Sequence, residues 1–338
     1  MALGISGYGV YVPRLRIKRE DYAKAWGSFS AAGVSEKSVL GYDEDVLTMA
    51  SKAAKRALDA VPLPASKVSR FALASTSPPY SEKLLSGTVL TSLGVPNDAF
   101  SSDHTTSTRA GTEAVIAGFE HLAATPSGNV LVASADAPTA SMWDPVEHGL
   151  AAGAAAFVLS ADEVLAEFEG SSSCASEHAG ERFRGPSEDR IRDLNVKKFS
   201  EGSFLANTTR AAGDLLKRLG RKPEDYAHVV IQQPDARAPG SVAAKLGFTE
   251  AQLSVGLVSS FLGDLGSASP LVGLAAVLDV AKAGERILVV SYGSGAGSDA
   301  LSFRLAREKR SPYPVKAEAS RKEYVDYLQY LKLKGAIR

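Results

Sequence analysis

The chain has 338 residues, 45% of them hydrophobic and 22% charged, enough for one large core or two packed ones in an ordinary globular protein. Thirty-eight Lys and Arg balance 38 Asp and Glu, which excludes a global field drawing the chain to nucleic acid or an anionic membrane. A single cysteine, Cys174, rules out an internal disulfide, and with five scattered histidines (His104, His121, His148, His178 and His228) it gives no metal-ligand spacing.

The opening MALGISGYGVYVP carries no basic start, its glycines break any apolar stretch, and no cleavage site follows, so it does not read as a secretory leader. No uninterrupted apolar run reaches the roughly 18 residues of a membrane span. A soluble cytoplasmic protein is the expectation. Three cations, Arg14, Arg16 and Lys18, then crowd the first loop. Residues 47–60 have helical spacing and lead through VPLPASKVSR into a strand at 71–75. From Ser101, SSDHTTSTRAGTEAVIAGFEHL runs from a polar turn through small residues into an apolar helix. Residues 129–135 and 151–159 read as two short buried strands. The segment 169–190, EGSSSCASEHAGERFRGPSEDR, is polar and rich in Gly and Ser, and reads as a loop or insertion.

Beyond it the same order returns. A helix at 207–219 leads through GRKPEDYAH into a strand at 229–231. From Ser259, SSFLGDLGSASPLVGLAAVLDV repeats the polar turn, small residues and apolar helix. Strands at 286–291 and 300–304 flank a glycine-rich loop, and the tail 321–338 has Tyr and Leu at near-helical spacing for a last helix. Strands alternating with helices predict an α/β protein with largely parallel or mixed sheets covered by helices. Three matched pairs in one order predict internal duplication. The expected division is a first half at 1–165, a connecting segment at 166–200 and a second half at 201–338.

Taken in order, GISGYGVYVPRLRI, GYDEDVLTMASKAAKRAL, AAGAAAFVLS, LVGLAAVLDVAKAGERILVVSYGSGAGSDA and YVDYLQYLKLKGAIR resemble segments of the thiolase superfamily, and within it the archaeal-type hydroxymethylglutaryl-CoA synthases. The resemblance covers nearly the whole chain. It implies the internally duplicated thiolase fold, with αβαβα layers and two similar halves. It also implies a coenzyme A thioester as ligand, with no covalently bound cofactor and no metal. As partners it implies a homodimer, or a larger assembly with a thiolase partner and a small zinc-ribbon/OB-fold protein that holds CoA.

The family's chemistry uses a cysteine that takes an acetyl group, a glutamate that moves a proton, and a histidine that polarises a carbonyl. By resemblance, the cysteine of Ala-Cys-Lys-Ala-Gly-Thr falls on Thr108 in Ser107-Thr108-Arg109-Ala110-Gly111-Thr112. The glutamate falls on Thr76 of STSPPY, the histidine on Gln232 of Gln232-Gln233-Pro234-Asp235, and the asparagine of a Gly-Asn loop on Asp264. A threonine hydroxyl attacks only with an organised base, and His104 is the nearest histidine in sequence. Otherwise Thr108 simply packs or caps its helix. Thr76 is no proton acceptor near neutral pH, and an amide such as Gln232 does not titrate. Glu82 or Glu113 would be substitute bases, although both sit where a solvated carboxylate is ordinary. Asp264 reads as a turn or cap residue. Arg14, Arg109 and Arg237 are the cations for CoA phosphates, each with a solvated surface charge as the alternative. Gly293 and Gly295 let backbone approach an acyl pocket. Two readings follow: a synthase-like subunit without condensing activity, or an active enzyme with altered chemistry. The second is an acyltransferase or hydrolase using Thr108, or a lyase working through binding and hydrogen bonds without a covalent step; a divergent hydroxymethylglutaryl-CoA synthase is the remaining alternative.

Overall fold

The computed structural model describes residues 2–176, 182–185, 188–193 and 197–337, with 197–201 as backbone alone. Ten residues of the connecting segment, 177–181, 186–187 and 194–196, lie outside the described residues, His178 among them. The first part of the chain runs β1 (Gly4–Tyr11), β2 (Leu15–Lys18), α1 (Arg19–Trp26), β3 (Glu36–Val39), α2 (Val46–Ala60), β4 (Arg70–Ala74), α3 (Leu85–Ser92), β5 (Phe100–His104), α4 (Ala110–Ala124), β6 (Val130–Asp136) and β7 (Gly153–Ser160). There follow β8 (Ala166–Ala175), α5 (Lys197–Leu219), β9 (His228–Ile231), α6 (Ala238–Leu246), α7 (Glu250–Ser254), α8 (Ser259–Leu262), α9 (Ser269–Leu278), β10 (Arg286–Val290), β11 (Gly297–Leu305), α10 (Val315–Ser320), β12 (Glu323–Tyr324) and α11 (Tyr327–Leu333).

The strands line up as β5-β4-β6-β7-β1-β8-β11-β10-β9. On one side of the β1/β8 contact, β1 and β6 flank β7 antiparallel, and β4 runs parallel to β6 and β5. On the other, β8 and β10 flank β11 antiparallel, and β9 runs parallel to β10. The two sets therefore repeat one topology, and their strands pair where Gly4 and Ile5 meet Glu167 and Ala166. The matched sequence pairs map onto this repeat as α2–β4 with α5–β9, and β6–β7 with β10–β11.

Packing explains the small residues. Asp45 caps α2 with a reciprocal capping box, and the helix lays Ala53 and Ala57 on the β1 glycines. A Cβ at Gly9 would lie 2.5 Å from the backbone nitrogen of Ala57, so only glycine admits that approach. All ten residues of α9 are buried, because it lies with α4 in the middle of the molecule. One apolar cluster surrounds α4 and α9; two others lie under α2 and α3 and under α5 and α6. The result is helix, sheet, helix, sheet, helix.

Residues 166–175 are not loop. They form β8, registered along all of β11 from Gly297–Ala175 to Leu305–Ala166. Its Gly-Ser run has weak strand preference, and partners more than a hundred residues away hold it in place. The tail helix is shorter than expected, and β12 ahead of it pairs parallel with β2, which pairs with β3. Among the described residues no helix is long and apolar enough to cross a membrane.

Candidate functional site

The chain leaves β5 at His104, turns through Thr106 with φ of 74°, and enters α4 at Ala110. Thr108 sits in this turn and donates its hydroxyl to the backbone carbonyl of Tyr292 at 2.7 Å. The turn faces the loop after β10, where Gly293 and Gly297 bridge. A Cβ at Gly293 would fall 1.8 Å from Ser107 Oγ and 3.0 Å from the Arg109 nitrogen. Glycine at 293 is thus a close-approach requirement. At Gly295 the requirement is conformational, a φ of 85° where an added Cβ would meet nothing within 4 Å.

Behind the turn, buried Asp299 accepts from Thr112 Oγ1 at 2.8 Å, and Thr112 also meets Ser291 Oγ at 2.6 Å. Arg109 lies along Gly297 with Nη1 3.7 Å from Asp299 Oδ1 and Nε 3.9 Å from Glu113. It is partly buried and flanked by these two carboxylates. His104 Nε2 lies 3.4 Å from Ser102 Oγ, and burial pushes its pKa below the ordinary imidazole value. Glu82 is exposed, and Glu113 is partly exposed beside Arg109.

A second polar knot gathers around Asp136, the fully buried last residue of β6. Its Oδ1 accepts from Ser75 Oγ at 3.0 Å, Thr76 N at 2.7 Å, Ser77 N at 2.9 Å and Ser77 Oγ at 2.6 Å. Its Oδ2 accepts from Thr76 Oγ1 at 2.9 Å and from Ser267 N and Oγ, both at 2.7 Å. Thr76 therefore faces a carboxylate that fixes it in place. Across the turn, buried Gln232 donates Nε2 to the Gly266 carbonyl at 2.9 Å. Asp264 Oδ1 accepts from Gly266 N at 2.9 Å, and Oδ2 accepts from Arg182 Nη1 at 2.7 Å. Two residues further on, Arg184 Nη2 donates to the Thr76 carbonyl at 3.0 Å.

Thr76, Gln232 and Asp264 are thus joined through Asp136 and the 264–267 turn. Thr108 adjoins them through α4, whose Gly111 lies against the Ser267 carbonyl. The remaining cations lie elsewhere. Arg14 is exposed beside Glu323 at 3.7 Å, Arg237 is exposed at the start of α6, and Arg16 turns inward on β2, fully buried. Sequence reasoning missed Asp136, Arg182, Ser267 and Asp299. Asp136 alone had a legible signal, a carboxylate ending the apolar run VLVASAD. Among the described residues no group of three or more His, Cys, Asp or Glu is placed to hold a metal.

Solved structures share this architecture. MvaS in complex with 3-hydroxy-3-methylglutaryl coenzyme A superposes with a TM-score of 0.88 at 20% identity, covering 98% of this chain and 91% of that one. A 3-oxoacyl-[acyl-carrier-protein] synthase III from Aquifex aeolicus gives 0.79 at 21% identity, covering 89% and 99%. The fold is therefore thiolase-like. Residues 216–305 also match the family described as 3-oxoacyl-[acyl-carrier-protein (ACP)] synthase III C terminal. The chain is 36% identical to the hydroxymethylglutaryl-CoA synthase of Thermococcus kodakarensis over 98% of its own length and 96% of that protein. It is also 36% identical to that of Archaeoglobus fulgidus over 99% of both. The chain belongs to the hydroxymethylglutaryl-CoA synthase family.

Proposed function

We propose that this family member holds acyl-CoA without condensing it, as a structural and acyl-handling subunit of a thiolase-containing assembly. In this reading Thr108, Thr76 and Gln232 stand at the family's cysteine, glutamate and histidine positions. The carrying observation is the Thr108 hydroxyl, whose proton rests on the Tyr292 carbonyl at 2.7 Å. A nucleophilic hydroxyl hands its proton to a base, and a backbone carbonyl is not one. The other two positions support the same reading. The Thr76 hydroxyl donates to Asp136, and the Gln232 amide donates to Gly266 and cannot titrate. Asp264 is likewise taken up by internal partners, Arg182 on one oxygen and the Gly266 N–H on the other.

A CoA thioester is the proposed ligand, since solved relatives in this fold hold CoA or 3-hydroxy-3-methylglutaryl coenzyme A. Arg14 and Arg237, both exposed, are the proposed cations for its phosphates, whereas Arg109 lies against Asp299 and Glu113. A homodimer is proposed through β5, which ends the nine-stranded sheet with Phe100 exposed. The thiolase partner and the zinc-ribbon/OB-fold protein remain part of the proposal; a curacin-pathway synthase of the same fold was solved with a donor acyl carrier protein. The cytoplasm is the proposed location, and halves at 1–165 and 201–338 about the segment 166–200 are the proposed division. CoA release from acetyl-CoA with acetoacetyl-CoA tests the reading, run beside Thr108→Ala. Background release from both proteins supports it. Release by the wild type that disappears in Thr108→Ala favours an enzyme with a threonine nucleophile.

A further inference from the structure

Next to the Asp264 turn lies a buried ion pair that the site does not use. Lys37 on β3 and Glu147, in the short helical turn Pro145–His148, are both buried to within 1%. Lys37 Nζ donates to the Glu147 carboxylate at 3.1 Å and to its backbone carbonyl at 2.6 Å. Two tyrosines complete the cluster. Tyr22 of α1 donates to Glu147 Oε2 at 2.7 Å, and Tyr330 of α11 donates to Oε1. Both rings have centroids 4.9 Å from the ammonium. Tyr330 is the one residue that α11 buries fully, and Tyr327 and Leu333 pack beside it on the same cluster, so the Tyr330 hydroxyl is what ties the docked helix to the ion pair.

The segment that carries Glu147 also carries the candidate site. Asp264 N–H donates to the Gly149 carbonyl at 2.8 Å, and Ala151 N–H donates to the Asp264 carbonyl at 2.9 Å. A Cβ at Gly263 would lie 2.9 Å from Lys37 Cβ, so the turn rests directly on β3. A buried ion pair holds its geometry only while its remaining hydrogen bonds are made and water is kept out.

We propose that α11 is a latch: docked through Tyr330, it seals the Lys37–Glu147 pair and so fixes residues 147–151, which set the Asp264 turn. Proton linkage gives the latch a direction. Burial pushes Lys37 down to about 8, with the Glu147 carboxylate opposing and the Lys334 charge assisting. Tyr22 and Tyr330 are held protonated by burial, and His148 accepts Ser30 N–H on Nδ1 at 3.0 Å with its pKa pushed down by burial. Undocking wets Lys37, returns it toward the ordinary 10.5 and takes up a proton. Docking therefore tightens as pH rises from 8 toward 10.5 and is indifferent to Lys37 below 8.

Amide hydrogen exchange on the full chain tests this, comparing wild type with Tyr330→Phe and Glu147→Gln. Loss of one hydrogen bond to a charged acceptor predicts exchange at Ala151 and Asp264 faster by about tenfold, with β6 and β7 amides unchanged. In the wild type, protection of those two amides, corrected for intrinsic exchange, should increase between pH 8 and 10. Unchanged protection at Ala151 and Asp264 in both variants would overturn the latch. So would an equal loss across β6 and β7, which would make the tyrosine a general stabiliser of the fold.

Discussion

Replacing Asp136 by Asn isolates the polar knot beneath Thr76, because the change alters one oxygen and almost no volume. The carboxylate accepts four hydrogen bonds on Oδ1 and three on Oδ2. The hydroxyls of Ser75, Thr76, Ser77 and Ser267 can rotate to accept from an amide; backbone N–H groups cannot. Two of those, from Thr76 and Ser77, point at Oδ1, and one, from Ser267, points at Oδ2. The asparagine therefore turns its NH2 toward Ser267, leaving that N–H facing another donor in a buried site. The unmade bond costs about 1–3 kcal/mol, and loss of charge from the remaining bonds adds about 1 kcal/mol. The expected destabilisation is about 2–4 kcal/mol by urea unfolding at neutral pH, with the slope unchanged. Asp136→Ala, which strands all three backbone donors, should cost more. A loss below about 0.5 kcal/mol for Asn, the range of an ordinary surface change, would refute the knot as a fixed structure.

Thr108→Ala removes the hydrogen bond to the Tyr292 carbonyl and should lower stability by about 0.5–1.5 kcal/mol, measured by the same unfolding curve, and leave CoA release at background. Arg182→Met strips the partner from buried Asp264 and should cost about 3–5 kcal/mol, whereas Arg182→Lys should recover part of it. Gly293→Ala forces its Cβ onto Ser107 Oγ and the Arg109 backbone, so thermal melting should shift down by several degrees. For Lys37, the folded state binds fewer protons than the unfolded state between pH 8 and 10.5, so its contribution to stability rises with pH across that window. Lys37→Met should flatten that rise in urea titrations.

The repeat was legible because each half carries its own periodicity. Helix spacing at 47–60 and 207–219, and the apolar runs at 129–135 and 286–291, are local signals that need no partner. β8 was not legible, since EGSSSCA forms a strand only because β11 lies beside it. The candidate site divides along the same line. Thr108, Thr76, Gln232 and Asp264 stood out as residue types within motifs, yet their partners are far away in sequence: Tyr292 for Thr108, Asp136 for Thr76, Arg182 for Asp264. Charge was the least readable feature. Arg109 was a candidate for facing phosphates and Arg16 one of the cations crowding the first loop, but one lies beside Asp299 and the other is buried on β2, pairings that no local pattern encodes.

The proposed function stands on Thr108 being a hydrogen-bonded turn residue and not an acyl acceptor. Intact-protein mass spectrometry after incubation with acetyl-CoA, quenched in acid, reads this directly. No added acetyl mass on the wild type, as on Thr108→Ala, is the predicted result. An acetyl adduct that maps to Thr108 and vanishes in the alanine variant would contradict the account and make the chain a covalent acyltransferase.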